Sequence, residues 1–399
     1  MNILVLDGNQ NQAVSSVRSL ARAGHTVFVG ESSSWSKAGW SRACSHQMQY
    51  ASPRHNIDAF LNDLVTFVRQ HPGILVLPMT EATTLQLSEH RESLIAVGAQ
   101  FVLPEHKDLL RAFDKVETTR LAASLGVAVP KTLVISNPQE AREVSPSLPY
   151  PVVLKARASE DFRSGKLRPT GRPLYARNAT EFDHAYGRIC DRCSSVLVQE
   201  FVPGAGMGYF ALMDHGELRA EFAHRRIRDV IPTGSGSALR VSVAPDPEIR
   251  RASLAILSAL RWNGVAMVEF RKQSALPAIF MEVNGRFWHS LALACYAGVD
   301  FPGLLAQMAE HGDLETVTNY QRGVRCRWVL GDVRHLVEVW KGPPRGYPGR
   351  YPGRLQTLID FLTPVSGTRH DMFQWRDPLP EAGDWLHFSA EILRRLKGR

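Results

Sequence analysis

Several features are scarce or missing in this 399-residue chain, and each absence removes a class of protein. No apolar run reaches the ~20 residues that a membrane-crossing helix requires, so no membrane role is expected. The N-terminus has no charged segment followed by a cleavable apolar stretch, and the 5 cysteines make an odd number. The expected setting is therefore the cytoplasm, with reduced thiols. Cys190-Asp191-Arg192-Cys193 has metal or redox spacing, yet no second pair follows at zinc-site distance, and the pair is read as structural thiols. Gly8-Asn9-Gln10-Asn11-Gln12 offers one glycine where the fingerprint G-x-G-x-x-G needs three, which argues against a nicotinamide-dinucleotide site. No Ser-His-Asp or Cys-His nucleophile motif is recognisable either.

What remains is ordinary globular material, 44% hydrophobic and 22% charged, long enough for two or three packed domains. The formal net charge of +8 invites a nucleic-acid reading. Residues 306–399, however, hold 14 Lys+Arg against 11 Asp+Glu, a surplus of only 3, so the basicity is spread out. Dispersed positive charge suits small anions such as nucleotides and carboxylates, and no nucleic-acid partner is expected.

The chain opens as strand, helix and strand: residues 2–8 carry a short buried-strand pattern, 13–23 have helical periodicity and stop at Gly24, and 26–30 resume as strand. This βαβ start predicts a parallel sheet with ligands near the carboxyl ends of its strands. A further helix over 57–69 and strands over 73–78 and 101–104 complete a first domain ending near Glu105. A single helical segment over 107–125 follows, then a proline-rich linker over 136–151 and an apolar strand ending in Lys155. Residues 161–177, rich in Gly, Arg and Lys without periodicity, predict a mobile loop, a candidate lid. Beyond Pro302 the pattern weakens into an arm holding Trp328, Trp340, Trp375 and Trp385, whose repeat Tyr347-Pro348-Gly349-Arg350 and Tyr351-Pro352-Gly353-Arg354 reads as an extended connection and whose aromatic residues are expected to pack it onto the body. Covering the active site or forming a dimer contact is its alternative role.

The densest chemistry lies in Phe280-Met281-Glu282-Val283-Asn284-Gly285-Arg286-Phe287-Trp288. Alternation along a strand points Glu282, Asn284 and Arg286 to one side. Three polar groups projecting from an apolar run need an ionic partner, and oxygen donors beside a cation suggest Mg²⁺ and phosphate. The upstream run Gly264 to Phe270 makes a hairpin with it, in which Glu269 faces Glu282.

Asp114-Lys115, Gly126-Val127-Ala128-Val129-Pro130-Lys131-Thr132, Leu154-Lys155, Gln199-Glu200-Phe201-Val202-Pro203-Gly204, Glu269 and Glu282-Val283-Asn284-Gly285-Arg286, in this order, resemble the ATP-grasp superfamily, and its uncharacterised carboxylate–amine ligase branch in particular. The resemblance runs from residue 1 to about residue 302. It implies a mixed α/β and α+β architecture: a pre-ATP-grasp parallel-sheet domain (1–105), two ATP-grasp subdomains (106–190 and 191–305) and a C-terminal extension (306–399). It implies ATP as cosubstrate, with Lys115 and Lys155 on the α- and β-phosphates. Gln199, Glu200 and Val202 would line adenine. Glu269, Glu282 and Asn284 would hold Mg²⁺, with Mn²⁺ an alternative, and Arg286 would stabilise the transferred phosphoryl group. Arg225, Arg226, Arg228, Ser235 and above all Arg240 stand where an anionic substrate or acyl phosphate would be held, and Arg240 joins Arg286 as the expected catalytic pair.

The implied activity is an ATP-dependent ligation of a small carboxylate to an amine through an acyl phosphate, releasing ADP and phosphate. A homodimer is left open as an alternative to a monomer, through the dimer contact named above for the C-terminal arm. Alternatives left open are a non-catalytic nucleotide-binding protein and a small-molecule kinase or carboxylase-type member. One departure stands out: Gly204-Ala205-Gly206-Met207-Gly208 lies where members place an acid for the ribose hydroxyls.

Overall fold

The computed structural model describes residues 1–163, 166–273, 276–312, 314–363 and 365–397. Strands β1 (Asn2–Val5), β2 (Thr26–Glu31), β3 (His46–Gln49) and β4 (Leu75–Leu77) form a parallel sheet in the order β3-β2-β1-β4. Alternate residues feed two cores: Ile3, Val5, Val27 and Val29 pack on one side, and Leu4, Leu6 and Phe28 on the other. Because β2 and β4 flank β1 on opposite sides, the winding reverses beside β1, and a crevice opens at the carboxyl ends of the strands.

Next come β5 (Thr132–Ile135), β6 (Val152–Ala156), a hairpin of β7 (Glu160–Arg163) and β8 (Lys166–Pro169), then β9 (Leu174–Ala176) and β10 (Val196–Glu200). Strands β5-β10-β6-β9 form an antiparallel sheet, packed on helix Ala179–Ile189 through Phe182, Tyr186 and Ile189. The stretch expected as a loop from residue 161 is therefore partly a hairpin, although residues 164–165 lie outside the described ones. Two four-residue strands made largely of charged residues carry too little apolar alternation to be read as strands.

The largest sheet has seven strands: β11 (Ala205–Asp214), β12 (Glu217–Ile231), β13 (Ser235–Ser242), β14 (Gly264–Lys272), β15 (Ile279–Asn284), β16 (Arg325–Arg327) and β17 (Arg369–His370), in the order β15-β14-β11-β12-β13-β16-β17. Both faces are buried. Phe210, Leu212, Phe222 and Met267 share a core with helices Asn11–Arg22, Leu291–Ala297 and Phe301–His311. Tyr209, Ala211, Met213 and Phe270 share another with helices His106–Phe113 and Pro247–Ala259. Among the described residues no single helix is long and apolar enough to cross a membrane.

Two expectations are corrected. The single helix over 107–125 is broken at Asp114 into His106–Phe113 and Lys115–Ser124, because the Asp114 carboxylate caps the second helix, accepting from the Val116 and Glu117 amides at 2.9 and 3.3 Å. The C-terminal arm carries helices Val329–Lys341, Arg354–Leu362 and Leu379–Lys397 and supplies β16 and β17 to the large sheet, its repeat joins the first two of these helices as an irregular connection over 342–353, and its tryptophans do little of the docking. Of its four tryptophans only Trp328 is buried, at 6% exposure, while Trp375 is 89% exposed. Ion pairs dock the arm instead. Arg18 meets Asp377 at 2.8 Å, Lys37 meets Asp384 at 2.7 Å, and Arg240 pairs with Asp371, all buried.

Candidate functional site

The β14–β15 hairpin sets Glu269 opposite Glu282 in register, as the alternation predicts. Two carboxylates facing each other across strands repel, so the surroundings must compensate. The Asn284 amide lies between them, with Nδ2 3.3 Å from a Glu269 oxygen and 3.4 Å from a Glu282 oxygen. Arg226 donates to Glu269 at 2.8 Å, and Lys115 Nζ stands 3.4 Å from Glu282. Arg286 completes the cluster just past the end of β15, donating to Asn284 Oδ1 at 3.4 Å and to the Phe287 carbonyl at 3.1 Å.

Lys115 owes its position to the helix break. As the first residue after the Asp114 cap, it is fixed by its amide bond to the Arg157 carbonyl at 3.0 Å, while Arg157 holds Asp114 at 2.6 Å. Lys155 comes from the other side, near the end of β6. Burial, reinforced by the charges of Lys115 and Arg271, pushes its ammonium down to about 8 despite Glu282 nearby. For Glu282, burial works upward, but Lys115 and Lys155 outweigh it, and its carboxyl is held below the ordinary value. A lysine so destabilised in its charged form gains from any phosphate brought against it.

The cluster opens on a cavity of about 300 Å³ between the antiparallel four-stranded sheet and the large sheet, whose lining does not include Asn284 or Arg286. Lys115, Lys155, Arg226, Glu269 and Glu282 line one part, and Ser235 also faces it. Elsewhere the wall is Val153, Tyr175 and the chain from Glu200 to Val202. Tyr347, from the repeat Tyr347-Pro348-Gly349-Arg350, packs its ring 5.0 Å from Tyr175 and 5.8 Å from Phe201, bringing the C-terminal arm to this wall. Gly346 permits the approach: it has φ +77°, and a Cβ there would lie 2.3 Å from the Tyr175 carbonyl oxygen.

Sequence reading missed two charged wall residues, Asp229 and Arg271. Burial pushes the Asp229 carboxyl up, against the charge of Arg226. Arg271 ties two loops together, donating to the Gly204 and Thr233 carbonyls at 3.1 Å each. The signal for Arg271 was present, since it lies two residues beyond Glu269 on a strand and shares its face.

Four expected site residues are placed elsewhere. Gln199 is 3% exposed and donates to Thr132 Oγ1 at 3.0 Å rather than lining the cavity. Arg225 is exposed and does not line it. Arg228 is committed to Asp332 at 2.7 Å. Arg240 is fully buried, bound to Asp371 with the Cys326 thiol beside it, so it has no free face for a substrate. Register shifts in β12 on both sides of Arg228, and aspartates arriving from the C-terminal arm, account for the last two. His289 packs on Trp328, with ring centroids 4.4 Å apart.

Glu269, Glu282 and Asn284 suit a hard divalent ion. All three can present oxygen, two carry charge, and the Asn284 amide needs only a rotation about its terminal bond to turn Oδ1 toward the carboxylates. Among the described residues no cluster of three or more His, Cys, Asp or Glu could hold a metal ion, so an ion here would complete its shell with phosphate and water oxygens.

A family model described as "ATP-grasp in the biosynthetic pathway with Ter operon" matches residues 192–331. The fold is shared with the biotin carboxylase domain of Hydrogenobacter thermophilus 2-oxoglutarate carboxylase, solved as a dimer with MgADP, ADP and bicarbonate: 16% identity, TM-score 0.64, covering 81% of this chain and 72% of that one. An ADP complex of purK, N5-carboxyaminoimidazole ribonucleotide synthetase, matches at 13% identity and TM-score 0.65 over 90% of this chain and 96% of its own. An L-amino acid ligase from Bacillus licheniformis matches at 15% identity and TM-score 0.61 over 78% and 74%. A search of the curated proteins finds no match. The family match covers the stretch that holds Glu269, Glu282 and Asn284, and the solved structures share the fold of most of the chain.

Proposed function

We propose that the chain is an ATP-dependent carboxylate–amine ligase. The observation that carries this reading is the convergence of Lys115 and Lys155 on the facing carboxylates Glu269 and Glu282 within one cavity that extends to the Glu200–Val202 wall. Lys115 and Lys155 neutralise the α- and β-phosphates as point charges. The Glu200 carbonyl and Val202 amide take the adenine edge. Glu269, Glu282 and Asn284 would hold Mg²⁺, which when bound would supply charge neutralisation to the phosphates. Arg286 lies beyond Asn284 to meet the transferred phosphoryl group, and Arg226 and Ser235 face the acid. The substrate carboxylate oxygen attacks the γ-phosphorus, and the bond to ADP breaks with its electron pair leaving on ADP. The amine nitrogen then attacks the acyl carbon, phosphate departs with the C–O pair, and the amine's extra proton goes to solvent. Such chemistry rests on positioning and charge stabilisation rather than on a protein nucleophile.

The test is ADP release measured with a panel of amino acids and other carboxylates, with and without amines. A ligase sustains ADP release beyond one equivalent per chain only when a competent acid and amine are both present, whereas a kinase sustains it with the acid alone and a pure binder releases none. Glu282→Gln should lower turnover by about a hundredfold or more. Undiminished ADP release in that variant would remove the site assignment.

A further inference from the structure

A second cavity, of about 400 Å³, opens at the carboxyl ends of the parallel strands, where the winding reverses. Each strand contributes to it: Asp7 follows β1, Glu31 ends β2, Tyr50 follows β3 and Thr80 follows β4. Trp35 forms a wall, its ring stacked 4.9 Å from that of Trp40. Asp7 is 9% exposed and rigidly held. It accepts from Thr83 Oγ1 at 2.6 Å, the Met79 amide at 3.0 Å and the Tyr50 hydroxyl at 3.2 Å.

The lining is matched to positive rather than negative charge. Among the described residues Arg54 is the only Lys or Arg in it, beside His387, and that guanidinium is committed to Glu160, with Nε at 3.2 Å. A phosphate or carboxylate would find no uncommitted Lys or Arg there, whereas an ammonium would meet two carboxylates and an indole face. The cavity also borders the nucleotide site. Thr80 and Ala82 line it, while the carboxylate of Glu81 between them feels the charges of Lys115, Arg286 and Glu282.

We propose that this cavity binds the amine co-substrate as a cation, with Glu31 and Asp7 as its counter-charges and Trp35 as its platform. The inference rests on the ligase reading for the ligand's role, while the cavity's charge preference stands independently. An amine seated there enters from the Glu81 side, next to Arg286.

The test is calorimetric titration of the nucleotide-free full chain with 1,4-diaminobutane and with L-lysine, using butane-1,4-diol as the uncharged control. At least one charged amine should bind saturably, and the diol should not. Glu31→Gln, which keeps an oxygen for one of the Asn9 and Ser32 amides that now bond separate carboxylate oxygens at 2.9 and 2.6 Å, should weaken binding about tenfold or more while leaving ADP affinity unchanged. Trp35→Phe should remove any fluorescence change that accompanies binding. Absence of binding by both amines, or equal affinity in a Glu31→Gln protein with native circular dichroism, overturns the inference. Amine binding without any ADP release would instead defeat the ligase reading and leave the cavity assignment standing.

Discussion

Two groups of cations in this molecule, one buried and one partly buried, are differently completed. Along the seam with the C-terminal arm, Arg18, Lys37 and Arg240 each have one aspartate, and side-chain exposures in these pairs do not exceed 10%. In the cavity between the four-stranded antiparallel sheet and the large sheet, by contrast, Lys115 and Lys155 share the field of Glu282, and the Lys155 ammonium is driven down to about 8. A completed buried pair has nothing left to bind and serves architecture. An uncompleted one holds electrostatic capacity in reserve, and a ligand that arrives with charge uses it.

This contrast can be broken most forcefully at the seam. Arg240→Met leaves Asp371 buried without its partner, and the expected loss is about 3–5 kcal/mol of stability, read from the urea midpoint. A change below about 1 kcal/mol would mean that the Cys326 thiol, 2.9 Å from Asp371, carries the aspartate by itself. In the cavity the same kind of removal should do the opposite. Lys155→Met relieves a desolvated cation, so stability should hold or rise, while ADP affinity should fall by about tenfold to a hundredfold.

The pH dependence sharpens the distinction. Lys155 in the free protein is charged below about 8 and neutral above it, and bound phosphate favours the charged form. ADP affinity should therefore be fully present below that pH and fall as pH rises through it, by up to about tenfold per pH unit. Lys155→Met should abolish the slope, as a titration between pH 7 and 9 would show.

The same contrast explains what the sequence reveals and what it hides. The facing pair Glu269 and Glu282 is legible because strand alternation is local, and so is Lys155 at the end of its apolar strand. The break before Lys115 was legible in principle, since Asp114 and Glu117 have capping-box spacing. The fates of Arg228 and Arg240 were not, because Asp332 and Asp371 lie about a hundred residues away in sequence. Helix Asn11–Arg22 looks amphipathic for the same reason. Its polar face is covered by Asp377 and Asp300, partners that no local pattern announces.

The central claim is that the carboxylates of the β14–β15 hairpin hold a divalent ion against a nucleotide. Its most direct measurement is ADP affinity with and without Mg²⁺, in the wild-type chain and in a Glu269→Gln/Glu282→Gln variant. The account predicts that Mg²⁺ strengthens binding in the wild type and has no effect in the variant. An equal response to Mg²⁺ in both proteins would contradict it.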